Sequence, residues 1–322
     1  MSIQLKLLIA CVFWGATPTI GRVLATFKAP FVVVAGRFFV ASVFLLWFAY
    51  AARQFIAIPR RHWWRFAALG VSGILLHNGL LYKGLEYTSA TTASLILALI
   101  AIQVVFLDSV YYRRLPDRLA LAGVVLSVIG AAFVITDGHW QRVLEIGIGR
   151  GEVLVFLSAL SWAVYSVIGR ALLDHYSPLL TTTYAAVIGF VMLVPFLCAQ
   201  PQATIAVYSD ARALMLIFFL GFVGSALGFL WYSQALVSMG AVGTAVYINL
   251  IPLFGVLSAA VFLDEHASVA VLGGGALVLA SLMLVNRPHI AWRSLASDRA
   301  ANTGRSTGPA PRPSSRNSDS EY

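Results

Sequence analysis

Two nine-residue stretches set a tryptophan, hydroxyl-bearing residues and an Ile-Gly-Arg triplet in the same order: WGATPTIGR at Trp14–Arg22 and WAVYSVIGR at Trp162–Arg170, 148 positions apart. On a helix, Trp14, Thr17, Pro18 and Gly21 share one face, and so do Trp162, Tyr165, Ser166 and Gly169. Aromatic and polar groups at mid-depth in an apolar helix prefer a cavity or a neighbour to lipid, so these faces can hold the flat or apolar part of a small molecule; packing alone is the alternative. His77 is the one histidine well inside an apolar run, a hydrogen-bonding or proton-carrying group or a structural one. Gln103, Trp231, Tyr247 and Asn249 complete the candidate binding set. Tyr247 and Asn249 precede Pro252, whose missing N–H frees a carbonyl one turn back, which Asn249 could satisfy if it does not contact substrate. Arg37 lies about two turns inside its helix, and its long stem is expected to reach the outer interface in a structural role.

The residue types also narrow the chemistry. No Asp or Glu stands at mid-depth in the first or sixth apolar run, so a purely cationic cargo finds no buried counter-charge there. Few basic groups are placed to receive phosphates. Neutral or zwitterionic cargo, amino acids or aromatic metabolites, fits best. Gln103, Asn249 and a few hydroxyls are too sparse for an open aqueous channel. GVSG at Gly70–Gly73 matches a serine-protease G-x-S-G, but His77 lies about 140° around the same helix from Ser72, and the other histidines fall in loops, at span ends or in the tail. An intramembrane protease is therefore the remote alternative. Cys11 and Cys198 offer neither a disulfide framework nor metal spacing, and no cofactor or metal is expected.

The elements that must carry these residues are transmembrane helices. The chain is 60% hydrophobic and 11% charged, with mean hydropathy +0.85, against about 25% charge in a soluble domain. Its apolar runs approach the ~20 residues of one bilayer crossing. Helices are expected at about 4–25, 30–51, 64–84, 88–110, 118–136, 150–171, 178–199, 211–236, 239–263 and 267–286. The first run lacks a small-residue cleavage site and is expected to be retained. After residue 286 a Ser-, Pro- and Arg-rich stretch, 287–322, is expected to be a disordered cytoplasmic tail.

With ten spans, fifteen Lys and Arg residues fall on one side and six on the other, which places both termini in the cytoplasm. The net charge of +9 is thus mostly a topology signal, and nucleic acid is not an expected partner; the lipid bilayer and a small-molecule substrate are.

The echo extends beyond nine residues. At the offset of 148, Pro30 also matches Pro178; at 151, Gly70, Gly73, Leu85, Ala90 and Gly123 match Gly221, Gly224, Leu236, Ala241 and Gly274. The expected organisation is a first five-helix repeat at 1–137, a periplasmic linker at 138–149 and a second repeat at 150–286. Because five is odd, the second copy enters the membrane upside down relative to the first. The fold class is therefore an all-α polytopic membrane protein of two inverted five-helix repeats, an architecture of secondary transporters. The stripes Gly70–Gly73–His77 and Gly221–Gly224–Gly228–Trp231 are either close-packing surfaces or gliding seams.

Two such copies, each opening with a Trp-containing helix and a Pro-led second helix, the first bearing GRFFVAS, together with GLEYTSATTASLILAL and AVGTAVYINLIPLFGVLSAAVFLDE, resemble the EamA family of the drug/metabolite transporter superfamily over about residues 4–286. The resemblance implies an exporter or exchanger of small metabolites in a bacterial inner membrane. It implies a cavity lined by helices one, three, four, six, eight and nine, with five and ten peripheral, and a commonly occurring arginine at Arg37. A multidrug or nucleotide-sugar-like carrier of the same superfamily is the closer alternative. The copies differ at Ala101 against Pro252 and at Arg113-Arg114 against Asp264-Glu265, so a helix break at Pro252 is expected in one half only.

Overall fold

The computed structural model describes residues 1–144, 148–263 and 268–285, and within these the fold is all-helical. Helix α1 is Ile3–Leu24 and α2 is Pro30–Ala51. A continuous α3 joins Trp63–Leu69, a π-helical stretch Gly70–Leu76 and His77–Leu85. In α4, Ala90–Ala98 is followed after one residue by Ile100–Tyr112; α5 is Arg118–Thr136. Then come α6 (Arg150–Leu172) and α7 (Pro178–Ala199). Helix α8 runs from Ala211–Phe219 through a second π-helical stretch, Leu220–Leu227, to Gly240. Helix α9 takes up 241–248 and resumes as Ile251–Leu263, and α10 is Val269–Val285.

Local sequence fixes the starts. Pro30 and Pro178 stand in the first turn, where a missing N–H is harmless. Side chains of Ser89, Asp117, Ser177 and Asp210 accept from backbone N–H groups three residues on, satisfying donors that a first turn leaves open. Among the described residues, six helical stretches are long and apolar enough to cross a membrane, one being the 38-residue Ala211–Ile248. Gly240 divides that stretch: its φ of 72° breaks the helix at a conformation only glycine adopts freely.

The glycine stripes do not lie wholly on regular α-helix. Gly70 and Gly73, and Gly221 and Gly224, fall in the π-helical stretches at matching places in the two copies, and His77, Gly228 and Trp231 follow on regular helix. A Cβ on Gly70 would come within 2.8 Å of Ile188 on α7, and one on Gly221 within 2.6 Å of Val40 on α2. Each π stretch thus packs on the second helix of the other copy. Helices α5 and α10, which hold equivalent places in the two copies, cross at glycines. Gly123 faces Ser281 and Val285, Gly130 faces Gly274 and Val278, and Gly138 faces Ala270. As one index rises the other falls, so these two helices run antiparallel.

Several expectations change. The break in α9 is not one-sided. Leu250 N–H bonds Tyr247 O at 2.9 Å, and in α4 Leu99 N–H bonds Ile96 O at 3.1 Å, the same tight turn without a proline. Pro252 stands after its turn, in the first turn of the resumed helix, where it is tolerated and need not cause the break. A nine-residue helix, Pro201–Ser209, occupies the connection read as loop between α7 and α8. A short helix, Gln141–Leu144, lies in the expected linker. The expected tail and Asp264-Glu265 lie outside the described residues.

Candidate functional site

A cavity of about 440 Å³ lies among α1 (Trp14, Gly15, Thr17), α3 (His77, Asn78, Leu81, Tyr82), α4 (Thr91, Ser94, Leu97, Ala98, Ile100), α6 (Trp162), α8 (Phe229) and α9 (Ile248, Asn249, Ile251, Pro252, Gly255, Val256). Arg37 of α2 and Ile135 of α5 also reach it, so the lining is wider than the six helices expected. Both helix breaks border this space.

Aromatic rings form one wall. Trp14 and Trp162 meet edge to face at 5.9 Å, and Phe229 stands 5.2 Å from Trp162 and 6.2 Å from Trp14. Trp14 Nε1 donates to Gly224 O at 2.8 Å; Trp162 Nε1 donates to the Tyr232 hydroxyl at 3.3 Å, which also bonds Ser166 at 2.7 Å. One position serves both tryptophans. At Gly228 a Cβ would sit 2.9 Å from Trp14 Nε1, so glycine makes room for that ring. At the matching place in the first copy, His77 lies 4.8 Å from the Trp162 ring.

His77 Nδ1 is 3.1 Å from both the carbonyl and the hydroxyl oxygen of Ser158, whose hydroxyl donates to His77 O at 2.7 Å. A carbonyl can only accept, so Nδ1 carries a hydrogen, and a ring without a second proton presents Nε2 as an acceptor. Asn249 donates from Nδ2 to Ser127 Oγ at 2.8 Å, while its buried Oδ1 has no partner. Helix α5 therefore supports the site rather than standing apart from it.

Arg37 corrects its sequence-based assignment. It does not reach the outer interface: the residue is 6% exposed, its Nη2 donates to Ser225 Oγ at 3.2 Å, and its Nε has no partner. The glycine-rich π stretch of α8 lets α2 approach closely enough for this contact. Among the described residues the ion pairs are Lys83–Glu86 and Arg170–Asp174.

Of the candidate residues, Trp14, Thr17, His77, Trp162 and Asn249 come together around the cavity. Four do not line it. Tyr165 is buried against Trp162 at 5.3 Å and Phe229 at 5.8 Å. Gln103 is buried with both amide atoms unpartnered. Tyr247 is buried, its carbonyl accepting from Cys11 Sγ at 3.2 Å, and Trp231 is half-buried elsewhere on α8. Sequence reasoning passed over Asn78, Tyr82, Thr91 and Ser94; the hydroxyls of TTAS at i and i+3 were the signal available for the last two. The Ser72 hydroxyl is taken by Ala68 O at 2.6 Å.

Away from the cavity, the 2–3 and 6–7 connections meet. His62 Nδ1 lies 2.5 Å from the Tyr176 hydroxyl and its ring stacks on His175 at 5.7 Å; Ser177 donates to Gln54 at 2.6 Å. Burial pushes the His62 imidazole below its ordinary 6.5, and the charges of Arg61, Arg65 and His175 add to that.

Residues 1–136 and 149–287 each match the model of the EamA-like transporter family. The uncharacterized transporter YyaM of Bacillus subtilis (strain 168) is 28% identical over 78% of this chain and 83% of its own length. An uncharacterized transporter of Archaeoglobus fulgidus is 26% identical, covering 85% and 95%. A probable terminal-alkyne amino-acid exporter of Streptantibioticus cattleyicolor is 29% identical, covering 72% and 75%. A crystal structure with 15% identity shares the fold at a TM-score of 0.71, over 88% of this chain and 96% of that one. Two matched repeats, apolar helices that suit a bilayer and a cavity enclosed among them place this multi-pass membrane protein in the EamA-like transporter family.

Proposed function

We propose that the protein is a secondary transporter that moves small neutral or zwitterionic metabolites, amino acids among them, by alternating access between two inverted five-helix halves. One observation carries this reading. Thr17, Leu81, Tyr82 and Ser94 line the cavity, whereas their counterparts in the second copy, Tyr165, Tyr232, Ser233 and Ala245, are at most 2% exposed. One half of the path is hollow and its mirrored half is packed shut. Exchanging the two arrangements would close the first and open the second, which is alternating access in an inverted-repeat carrier.

Three further features support it. The equivalent helices α5 and α10 run antiparallel, as inverted copies require. The equivalent tryptophans touch, as residues beside a two-fold axis must. The excess of Lys and Arg on the 2–3 and 4–5 connections favours ten crossings with both termini in the cytoplasm of a bacterial inner membrane. In this state Trp14, Thr17, His77, Trp162 and Asn249 contact cargo, and Tyr165 and Gln103 become accessible in the opposite one. A neutral His77 ring offers a lone pair that a coupled proton could occupy. An amino-acid exporter stands among the relatives, and the mainly apolar wall suits the side chain of such a cargo.

The reading is tested by counterflow of a metabolite panel into proteoliposomes of the purified chain. Saturable, competitively inhibited exchange is expected; flux that rises linearly without saturating would indicate a channel instead. Reporter fusions within 138–149 are expected to face the compartment opposite the amino terminus, and the same compartment would refute inversion.

A further inference from the structure

The geometry points to Arg37 as the group that takes a carboxylate of the cargo, with Asn249 taking a hydrogen-bond donor, so that the cavity selects small zwitterions that carry a carboxylate and an ammonium group. This rests on the carrier reading above and narrows its cargo to one chemical class.

Arg37 and Asn249 both line the cavity, and each is more than nine-tenths buried with one polar atom left without a partner. For Arg37 that atom is Nε, a donor on a permanent cation; for Asn249 it is Oδ1, an acceptor on a neutral amide. Among the described residues the guanidinium donates to a neutral hydroxyl, that of Ser225 at 3.2 Å. No Asp or Glu among the described residues lines the cavity, and neither ion pair among them involves Arg37. A buried guanidinium is completed by an anion that brings charge and acceptor geometry together. One such group matches the single charge of a carboxylate; a phosphate would bring about two. A carboxylate against the Arg37 guanidinium and a donor against the Asn249 amide would complete both groups once a small side-chain turn brings their orphan atoms to the cargo, leaving the apolar remainder for the Trp14, Trp162 and Phe229 wall.

The fold does not require this charge. The counterpart of Arg37 in the second copy is Ala185, 1% exposed in the equivalent helix. A helix that packs in one half around a methyl group carries a guanidinium in the other only at the cavity. Room is left for it: a Cβ on Gly224 would still lie 4.0 Å from Arg37 Nη2.

The test uses the full-length protein, in detergent for thermal shift and in proteoliposomes for counterflow, with matched probes: L-phenylalanine and L-leucine against phenylalaninamide and leucinamide. The acids are expected to bind and exchange about tenfold or more better than the amides, the scale of a charged hydrogen bond. Arg37→Gln should weaken the acids by a similar factor and erase the acid-over-amide preference; Arg37→Lys should keep the preference at reduced affinity. Equal behaviour of acid and amide in the unmodified protein, or an undiminished preference in Arg37→Gln, overturns the assignment. Should Arg37→Gln not fold, the acid-to-amide ratio in the unmodified protein and in Arg37→Lys still decides. Saturable exchange confined to uncharged metabolites would remove Arg37 from this role and leave the carrier reading intact. Saturable exchange of nothing in the panel would remove the carrier reading and this inference with it.

Discussion

Trp14 and Trp162 hold the same place in the two halves and meet edge to face, with ring centres 5.9 Å apart and planes at 87°. Edge-to-face aromatic pairs add about 0.5–1.5 kcal/mol beyond area burial, and Phe229 extends the cluster on the same cavity wall. Their anchors differ: Trp14 is tied to the backbone of Gly224, Trp162 to the Tyr232 hydroxyl. Trp162→Ala is expected to lower counterflow at least about tenfold, the loss of roughly 1.4 kcal/mol of interaction, while surface expression and monodispersity persist. Trp162→Phe, which keeps a ring but loses the Nε1 donor, should fall between. Unchanged transport in Trp162→Ala would return this ring to packing alone.

The hollow and packed halves make opposite accessibility predictions. In a Cys198→Ser background, Ser94→Cys should react with a membrane-impermeant maleimide from one side of the membrane without cargo. Ala245→Cys, placed at the mirrored and buried position, should react only from the other side and only during turnover. The native Cys11 is fully buried and should stay silent. Labelling of both engineered cysteines from the same side would contradict alternating access through inverted halves.

Helix positions and the internal repeat were legible because each depends on near neighbours in the chain: run length, a leading proline, a capping Ser or Asp. The π-helical stretches were not. Gly70 and Gly73 advertise close packing, yet whether the backbone widens there depends on Ile188 and Tyr165, far away in sequence. Trp14, Thr17 and Trp162 were found from helical spacing, which survives on α1 and α6. Arg37 was misplaced for a different reason. A stem long enough to reach the interface is equally long enough to reach Ser225, and only tertiary contact decides between them. Tyr165 shows the remaining difficulty: it holds the place of Thr17 in the repeat, yet it is buried while Thr17 lines the cavity.

Gly73 is expected to resist any side chain. A Cβ there would stand 2.3 Å from Cδ2 and 2.7 Å from Cγ of Tyr165, a buried ring that packs on Trp162 in this conformation. Gly73→Ala should therefore destabilise by about 1–3 kcal/mol, the range for overpacking. Gly273, inside a helix with nothing within 4 Å of its would-be Cβ, is the matched control, and Gly273→Ala should raise stability by up to about 1 kcal/mol, the helix-propensity gain alone. Thermal unfolding of both variants in one detergent decides it; stabilisation of both would mean that helix propensity, not the Tyr165 contact, governs the glycine.

The contact between the 2–3 and 6–7 connections should weaken in acid. His62 Nδ1 accepts from the Tyr176 hydroxyl only while the ring is neutral, and burial, then Arg61, Arg65 and His175, hold its pKa below the ordinary 6.5. The unfolded chain takes up that proton near 6.5, the folded chain at lower pH. Between those values the unfolded state binds more protons, so stability falls as pH falls. The contribution is complete above the unfolded value and is lost as pH drops through the folded one. The melting temperature should thus be flat in this term above about pH 7 and decline below about pH 6. His62→Gln, which cannot charge, should flatten the decline and lower the plateau slightly, since the amide replaces the imidazole imperfectly. A slope that survives unchanged in His62→Gln would assign the acid sensitivity to other groups and leave the two connections joined at low pH.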